Sequence, residues 1–125
     1  MIPPTIEDIV QATADEYGVE TSYILQDTRK KEVIKLRHMA QYLCRRYTTE
    51  TLSAISEKIA GRISHATSLH AFRKIEFEYE RYNDTTYLAN GIIKRLKDRG
   101  FAVDKDIVRA TDVMWYDGGL KYKTA

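Results

Sequence analysis

Two apolar-periodic runs meeting at a glycine constrain this chain more than any other feature. Over residues 51–76, Leu52, Ile55 and Ile59 fall at helical spacing before Gly61, and Leu69, Phe72 and Ile75 do so after it. Gly61, within Ala60-Gly61-Arg62-Ile63, can take the left-handed conformation that ends a helix, and Ser64 stands where the next helix would be N-capped. The spacing predicts two helices joined by a tight turn. That is the outline of a helix-turn-helix, whose second helix enters a DNA major groove with its N-terminal residues foremost. Here those residues are Ser64, His65, Ala66, Thr67 and Ser68, small or polar and without a carboxylate.

The pattern around this pair is helical too. After Met1-Ile2-Pro3-Pro4, Thr5 and Asp8 form a capping-box pair, with Asp in place of the usual Glu. A first helix would carry Ile6, Ile9, Val10 and Tyr17 on one face and stop at Gly18. A short helix over residues 19–25 follows, capped by Thr21 or Ser22, with Tyr23, Ile24 and Leu25 as its apolar contacts. Residues 26–31 form a basic connector without an apolar side chain. The next helix has the cleanest stripe in the chain: Val33, Leu36, Ala40, Leu43, Cys44 and Tyr47, with Lys35, Arg37, His38, Arg45 and Arg46 pointing elsewhere. Thr48-Thr49-Glu50 breaks it and caps the first helix of the pair, whose second member runs to about Tyr82. A last helix over residues 85–99 places Leu88, Ile92 and Leu96 inward and ends at Gly100. Within residues 101–125, Asp117-Gly118-Gly119 suits a hairpin turn, and an extended tail packed on the last helix is the alternative.

Composition narrows the function. No apolar run approaches the ~20 residues that span a bilayer, and no apolar signal segment follows Met1, so a cytoplasmic protein with no membrane association is expected. The single cysteine, Cys44, falls on an apolar stripe and reads as a buried thiol in a reducing compartment. A net charge of +2 says little by itself, but five cations, Arg29, Lys30, Lys31, Lys35 and Arg37, crowd nine residues beside the helix pair. Phosphate contact explains that crowding better than a merely solvated face. The three histidines and Cys44 have no zinc-ligand spacing, and Glu76, Glu78 and Glu80 cannot face one site on a helix, so neither a metal nor catalysis is expected. His65 is placed to face DNA, His70 to support the fold, and His38 to face solvent.

Residues 6–75 resemble the C-terminal DNA-binding domain of the bacterial replication initiator DnaA. Three stretches carry the likeness. Ile6–Val10 with Tyr17-Gly18-Val19 is similar to the opening helix and its exit. Val33-Ile34-Lys35-Leu36-Arg37-His38-Met39-Ala40 resembles the family run V-A-R-P-R-Q-M-A. Gly61-Arg62-Ile63-Ser64-His65-Ala66-Thr67-Ser68-Leu69-His70-Ala71 resembles the signature G-R-D-H-[ST]-T-V-L-H-A. The resemblance implies an all-α, multi-helix domain of the Trp-repressor/DnaA domain IV kind. In that family the second helix of the pair reads the major groove and the basic loop reaches the adjacent minor groove. By position Lys35 matches the minor-groove arginine, and Arg29, Lys31 and Arg37 the basic loop. His65 matches the signature histidine, Thr67 its second hydroxyl residue, and Lys74 a basic residue along the recognition helix.

The departures are specific. Ser64 replaces an aspartate that can accept from cytosine N4, Ala66 replaces a hydroxyl residue, Ile63 lengthens the turn by one, and Leu36 stands where proline is common. They argue for DNA binding at a different site. No G-x-x-x-x-G-K-[ST] occurs, so no nucleotide is expected to bind, and an ATP-driven filament is not expected of this chain alone.

The division expected is a DNA-reading domain over residues 1–82 and an extension over residues 83–125, comprising a helix and a tail. The reading is sequence-specific binding of double-stranded DNA, regulating replication initiation or transcription, through Arg29, Lys30, Lys31, Lys35, Arg37, Arg62, Ser64, His65, Ala66, Thr67 and Lys74. The alternative is an adaptor that keeps the fold and binds a protein partner, or a second copy of itself, through Trp115, Tyr116 and Tyr122.

Overall fold

The structure is a computed structural model that describes residues 2–61 and 65–104, with His65 described by its backbone alone. Six helices follow one another among these residues: α1 (Ile6–Tyr17), α2 (Thr21–Leu25), α3 (Lys31–Tyr47), α4 (Leu52–Ala60), α5 (His65–Glu78) and α6 (Asn83–Asp98). The only strand-like pairing among them is an isolated parallel bridge between Ile2 and Phe101, where the Ala102 N–H donates to the Ile2 carbonyl at 2.7 Å. The expected all-α class is found.

Local chemistry explains most boundaries. Thr5 and Asp8 form the expected box: the Asp8 N–H donates to Thr5 Oγ1 at 3.1 Å, and the Thr5 N–H to Asp8 Oδ2 at 2.8 Å. Gly18 ends α1 at φ 78°, and Gly61 ends α4 at φ 75°. Thr51, rather than the preceding Thr48-Thr49-Glu50, caps α4, its hydroxyl accepting from the Ala54 N–H at 3.0 Å. Thr48 closes α3 instead, donating to the Cys44 carbonyl at 2.7 Å. The short α2 begins after Glu20 with no side-chain cap, so neither Thr21 nor Ser22 has the role expected of it. Helix α5 ends at Glu78, earlier than Tyr82, because Glu80 turns the chain at φ 67° with its N–H on Thr86 Oγ1.

The core lies where α3 crosses α5 and α1. Every member of the predicted α3 stripe is buried: Val33, Leu36, Ala40, Leu43, Cys44 and Tyr47. Ile6, Ile9 and Val10 of α1, Leu52, Ile55 and Ile59 of α4, and Phe72 and Ile75 of α5 meet Ala40, Leu43, Cys44 and Tyr47 of this stripe in one cluster, and Leu36 packs with Ala14 and Ile24 in a second. Burying each large aliphatic side chain contributes about 1.5–3 kcal/mol. Helix α6 adds Ala89, Ile92 and Leu96 to the same cluster, packing along α1, while Leu88 is only half-buried. Ion pairs from Arg95 to Glu16 at 2.7 Å and from Arg99 to Asp15 fasten α6 to α1 at its rim. Tyr17, expected inward, and Leu25, expected as a contact of α2, are each 44% exposed. No helix among the described residues is long and apolar enough to cross a membrane. The hairpin or tail proposed around Asp117-Gly118-Gly119 lies outside the described residues.

Candidate nucleic-acid interface

Helices α4 and α5 form the helix-turn-helix pair, and α3 is the platform on which α5 sits. The register of α5 follows from its apolar face: Leu69, Ala71, Phe72 and Ile75 are buried, as is Ser68. The face turned away from the core carries Ala66, His70, Arg73 and Lys74, all exposed, with Thr67 half-buried between the two. An α5 seated in this way presents the stripe of Ala66, His70, Arg73 and Lys74 to the outside. Arg62 and Ser64 lie outside the described residues. His65 opens the helix.

The cations divide into free and committed groups. Arg29 and Lys30 on the connector, and Lys31 at the first position of α3, are exposed. Arg37 is half-buried and donates from Nη2 to the Thr28 carbonyl, tying the connector back onto α3. Lys35, two residues earlier and so on another side of the helix, pairs with Asp84 of α6 at 2.7 Å. This pair lies on the wall of a cleft of about 390 Å³ between α1, α3 and α6, which Tyr17, Glu32 and Tyr87 also line. Lys74 lies 3.6 Å from Glu78, one turn along α5. Glu32 of α3 also ties α1 and α2 to that helix, accepting from the Tyr23 hydroxyl at 2.7 Å and from the Tyr17 hydroxyl at 3.3 Å. That donation to a carboxylate pushes the Tyr23 hydroxyl up to about 12.

The histidines differ from expectation. His38 is half-buried rather than solvent-facing, and its ring meets that of exposed His70 edge-on, with centroids 5.8 Å apart. Burial first, then the positive charges of His70, Lys74 and Arg37, pushes His38 down to about 4, so it is neutral at physiological pH. Arg37 and Lys74 both lie close enough to this imidazole for their charges to act on it. Arg45, assigned to the polar side of α3, is 4% exposed and lies with its guanidinium over the Phe72 ring. Arg46 stacks on Tyr47 and Tyr42 and donates to the Tyr42 hydroxyl.

A helix-turn-helix seated on α3, with an exposed polar stripe on its second helix and a cationic connector beside it, is the arrangement of the helix-turn-helix DNA-binding class. A family model described as the bacterial dnaA protein helix-turn-helix matches residues 6–75, more than half of the chain, and the chain belongs to that family. The similar proteins include the chromosomal replication initiator protein DnaA of Caulobacter vibrioides, 40% identical over 72 residues, which cover 58% of this chain and 14% of that protein. The Rhodopseudomonas palustris initiator is 41% identical over 71 residues, 57% of this chain and 15% of its own length. That of Bacteroides thetaiotaomicron is 37% identical over 76 residues, 61% of this chain and 16% of its own length. The chain therefore matches only about one-seventh of the length of these relatives.

Proposed function

We propose that this chain binds double-stranded DNA in a sequence-specific way and controls replication initiation or transcription at the sites it occupies. The first turn of α5 enters the major groove, with Ser64, His65, Ala66 and Thr67 nearest the base edges. Arg29, Lys30, Lys31 and Arg37 approach the flanking backbone, Lys35 the adjacent minor groove, and Arg62 and Lys74 the phosphates beside the recognition helix. The observation that supports this reading most is the extent of the family match, which runs from α1 through the connector and α4 to Ile75 in the last turn of α5. A role in replication follows from the relatives' being named chromosomal replication initiators. The work is binding rather than catalysis, and α6, through its packing on α1, belongs to the folded unit that presents the site.

The departures at the tip point to a box of its own. A serine at position 64 pairs with several bases, and an alanine at position 66 offers only a methyl contact, so the preferred box should differ from that of relatives carrying aspartate and a hydroxyl residue. Selection from a random duplex pool tests this directly. An enriched motif, bound with affinity that falls steeply as salt rises, is the expected result. A pool with no enriched motif and no salt dependence overturns the proposal.

A further inference from the structure

We infer that Asp84 is a positioning residue for DNA, an internal competitor that holds Lys35 away from the groove until a duplex displaces it. The inference rests on the proposed DNA reading and adds a residue from outside the helix-turn-helix. Lys35 Nζ lies 2.7 Å from Asp84 Oδ2, across 49 residues of sequence. The lysine side chain is 35% exposed and the aspartate 73% exposed, so the pair sits at the rim, where a phosphate could reach the ammonium. A lysine on DNA must exchange its carboxylate for a phosphate or for acceptors on the groove floor. Asp84 sets the cost of that exchange.

Asp84 has its own reason to stay where it is. It lies in the first turn of α6, where a negative charge complements the helix dipole, and its Oδ1 accepts from the Thr85 N–H at 2.9 Å. The aspartate is therefore held by α6 and does not travel with the lysine. Its carboxyl is held below the usual range, first by the hydrogen bond from Lys35 and then by that from the Thr85 N–H, so it is ionised throughout the neutral range. Arg29, Lys30 and Lys31 are exposed on the connector, which makes Lys35 the cation of this region that is committed to α6.

The size of the effect is bounded. Pairs of this exposure are worth little in water, so the gain on removing Asp84 is about two- to fivefold in affinity and shrinks as salt rises. Removing any carboxylate near DNA raises affinity, so a single variant does not isolate the pair. A cycle does.

The experiment measures the affinity of wild type, Asp84→Asn, Lys35→Gln and the double variant for a duplex recovered by wild type from a random pool, at two salt concentrations. Asparagine keeps an acceptor for the Thr85 N–H, and Asp84→Ser provides a second variant that does the same. Thermal melts confirm that each variant is folded. We expect Asp84→Asn and Asp84→Ser to bind about two- to fivefold tighter than wild type, and the gain to vanish when Lys35 is glutamine. An equal gain in both backgrounds, or no gain in either, overturns the inference while the DNA reading stands. If wild type recovers no duplex and shows no salt-dependent binding, the DNA reading fails and takes this inference with it.

Discussion

The guanidinium of Arg45 lies 3.9 Å from the centre of the Phe72 ring, and it links α3 to α5 at the seat of the recognition helix. Phe72 also stacks on Tyr42, with centroids 5.2 Å apart, so the ring is held between α3 side chains. Phe72→Ala removes a ring that is 7% exposed and is expected to cost about 3–5 kcal/mol. A double-mutant cycle with Arg45→Ala is expected to show a coupling of about 1–2 kcal/mol, as for a largely desolvated cation–π contact. Urea unfolding measures both. Coupling near zero would mean that Arg45 only fills space.

The turn between α5 and α6 stores strain. Glu80 adopts φ 67°, a conformation costing about 1–2 kcal/mol for a residue with a Cβ. Two contacts hold it there: the Glu80 N–H on Thr86 Oγ1 at 2.6 Å and the Thr85 hydroxyl on Glu78 Oε1 at 2.9 Å. Glu80→Gly is expected to raise stability by up to about 1 kcal/mol, with part of the relief returned as unfolded-chain entropy. The change should appear as a higher midpoint in urea with the slope unaltered.

These two positions also show what the sequence could reveal. Helix ends at Gly18, Gly61 and Gly100 are legible because a glycine announces a left-handed residue locally, and all three have positive φ. The α3 stripe is legible because burial imposes a period on neighbouring residues. Glu80 carries no such mark: its turn is imposed by hydroxyls that belong to the next helix. Arg45 reads as a surface cation until Phe72 is brought beneath it. The same holds for the site. Exposure of Arg29, Lys30 and Lys31 could be read from the connector's composition, whereas the pairing of Lys35 with a carboxylate 49 residues away depends on tertiary packing. Polar partner choice depends on tertiary packing and leaves no periodic trace.

His38 should make stability depend on pH in a defined window. Its folded value is near 4, depressed from 6.5 chiefly by burial and further by His70, Lys74 and Arg37, against which Glu78 acts in the opposite direction. Between these values the unfolded chain binds the additional proton, so stability rises with pH. The contribution is complete above about pH 6.5 and is lost as pH falls towards 4. The slope cannot exceed the single-proton limit of about 1.4 kcal/mol per pH unit. Unfolding at pH 7 and pH 5 should show a larger drop for wild type than for His38→Gln. Equal drops would place the titration elsewhere. Glu7, Asp15 and Asp84, whose carboxyls are held below 4.5 for the glutamate and 3.8 for the aspartates, act mainly below pH 4.5, under the pH 7 to pH 5 comparison.

Arg37 separates holding a loop from touching a phosphate. Its guanidinium donates to the Thr28 carbonyl, which fixes the connector carrying Arg29 and Lys30. A lysine keeps the charge but lacks the planar fork and its directed donors. If loop holding dominates, Arg37→Lys weakens DNA binding nearly as much as Arg37→Ala, by roughly fivefold, the loss expected from a hydrogen bond of about 1 kcal/mol. Lys30→Ala is the contrasting case: an exposed cation whose loss should lower the slope of log affinity against log salt by about 0.9 and leave the melt unchanged. Measured together on one duplex, the three variants distinguish the roles. Full binding by Arg37→Lys would mean that Arg37 acts through its charge on the phosphates and not by holding the loop.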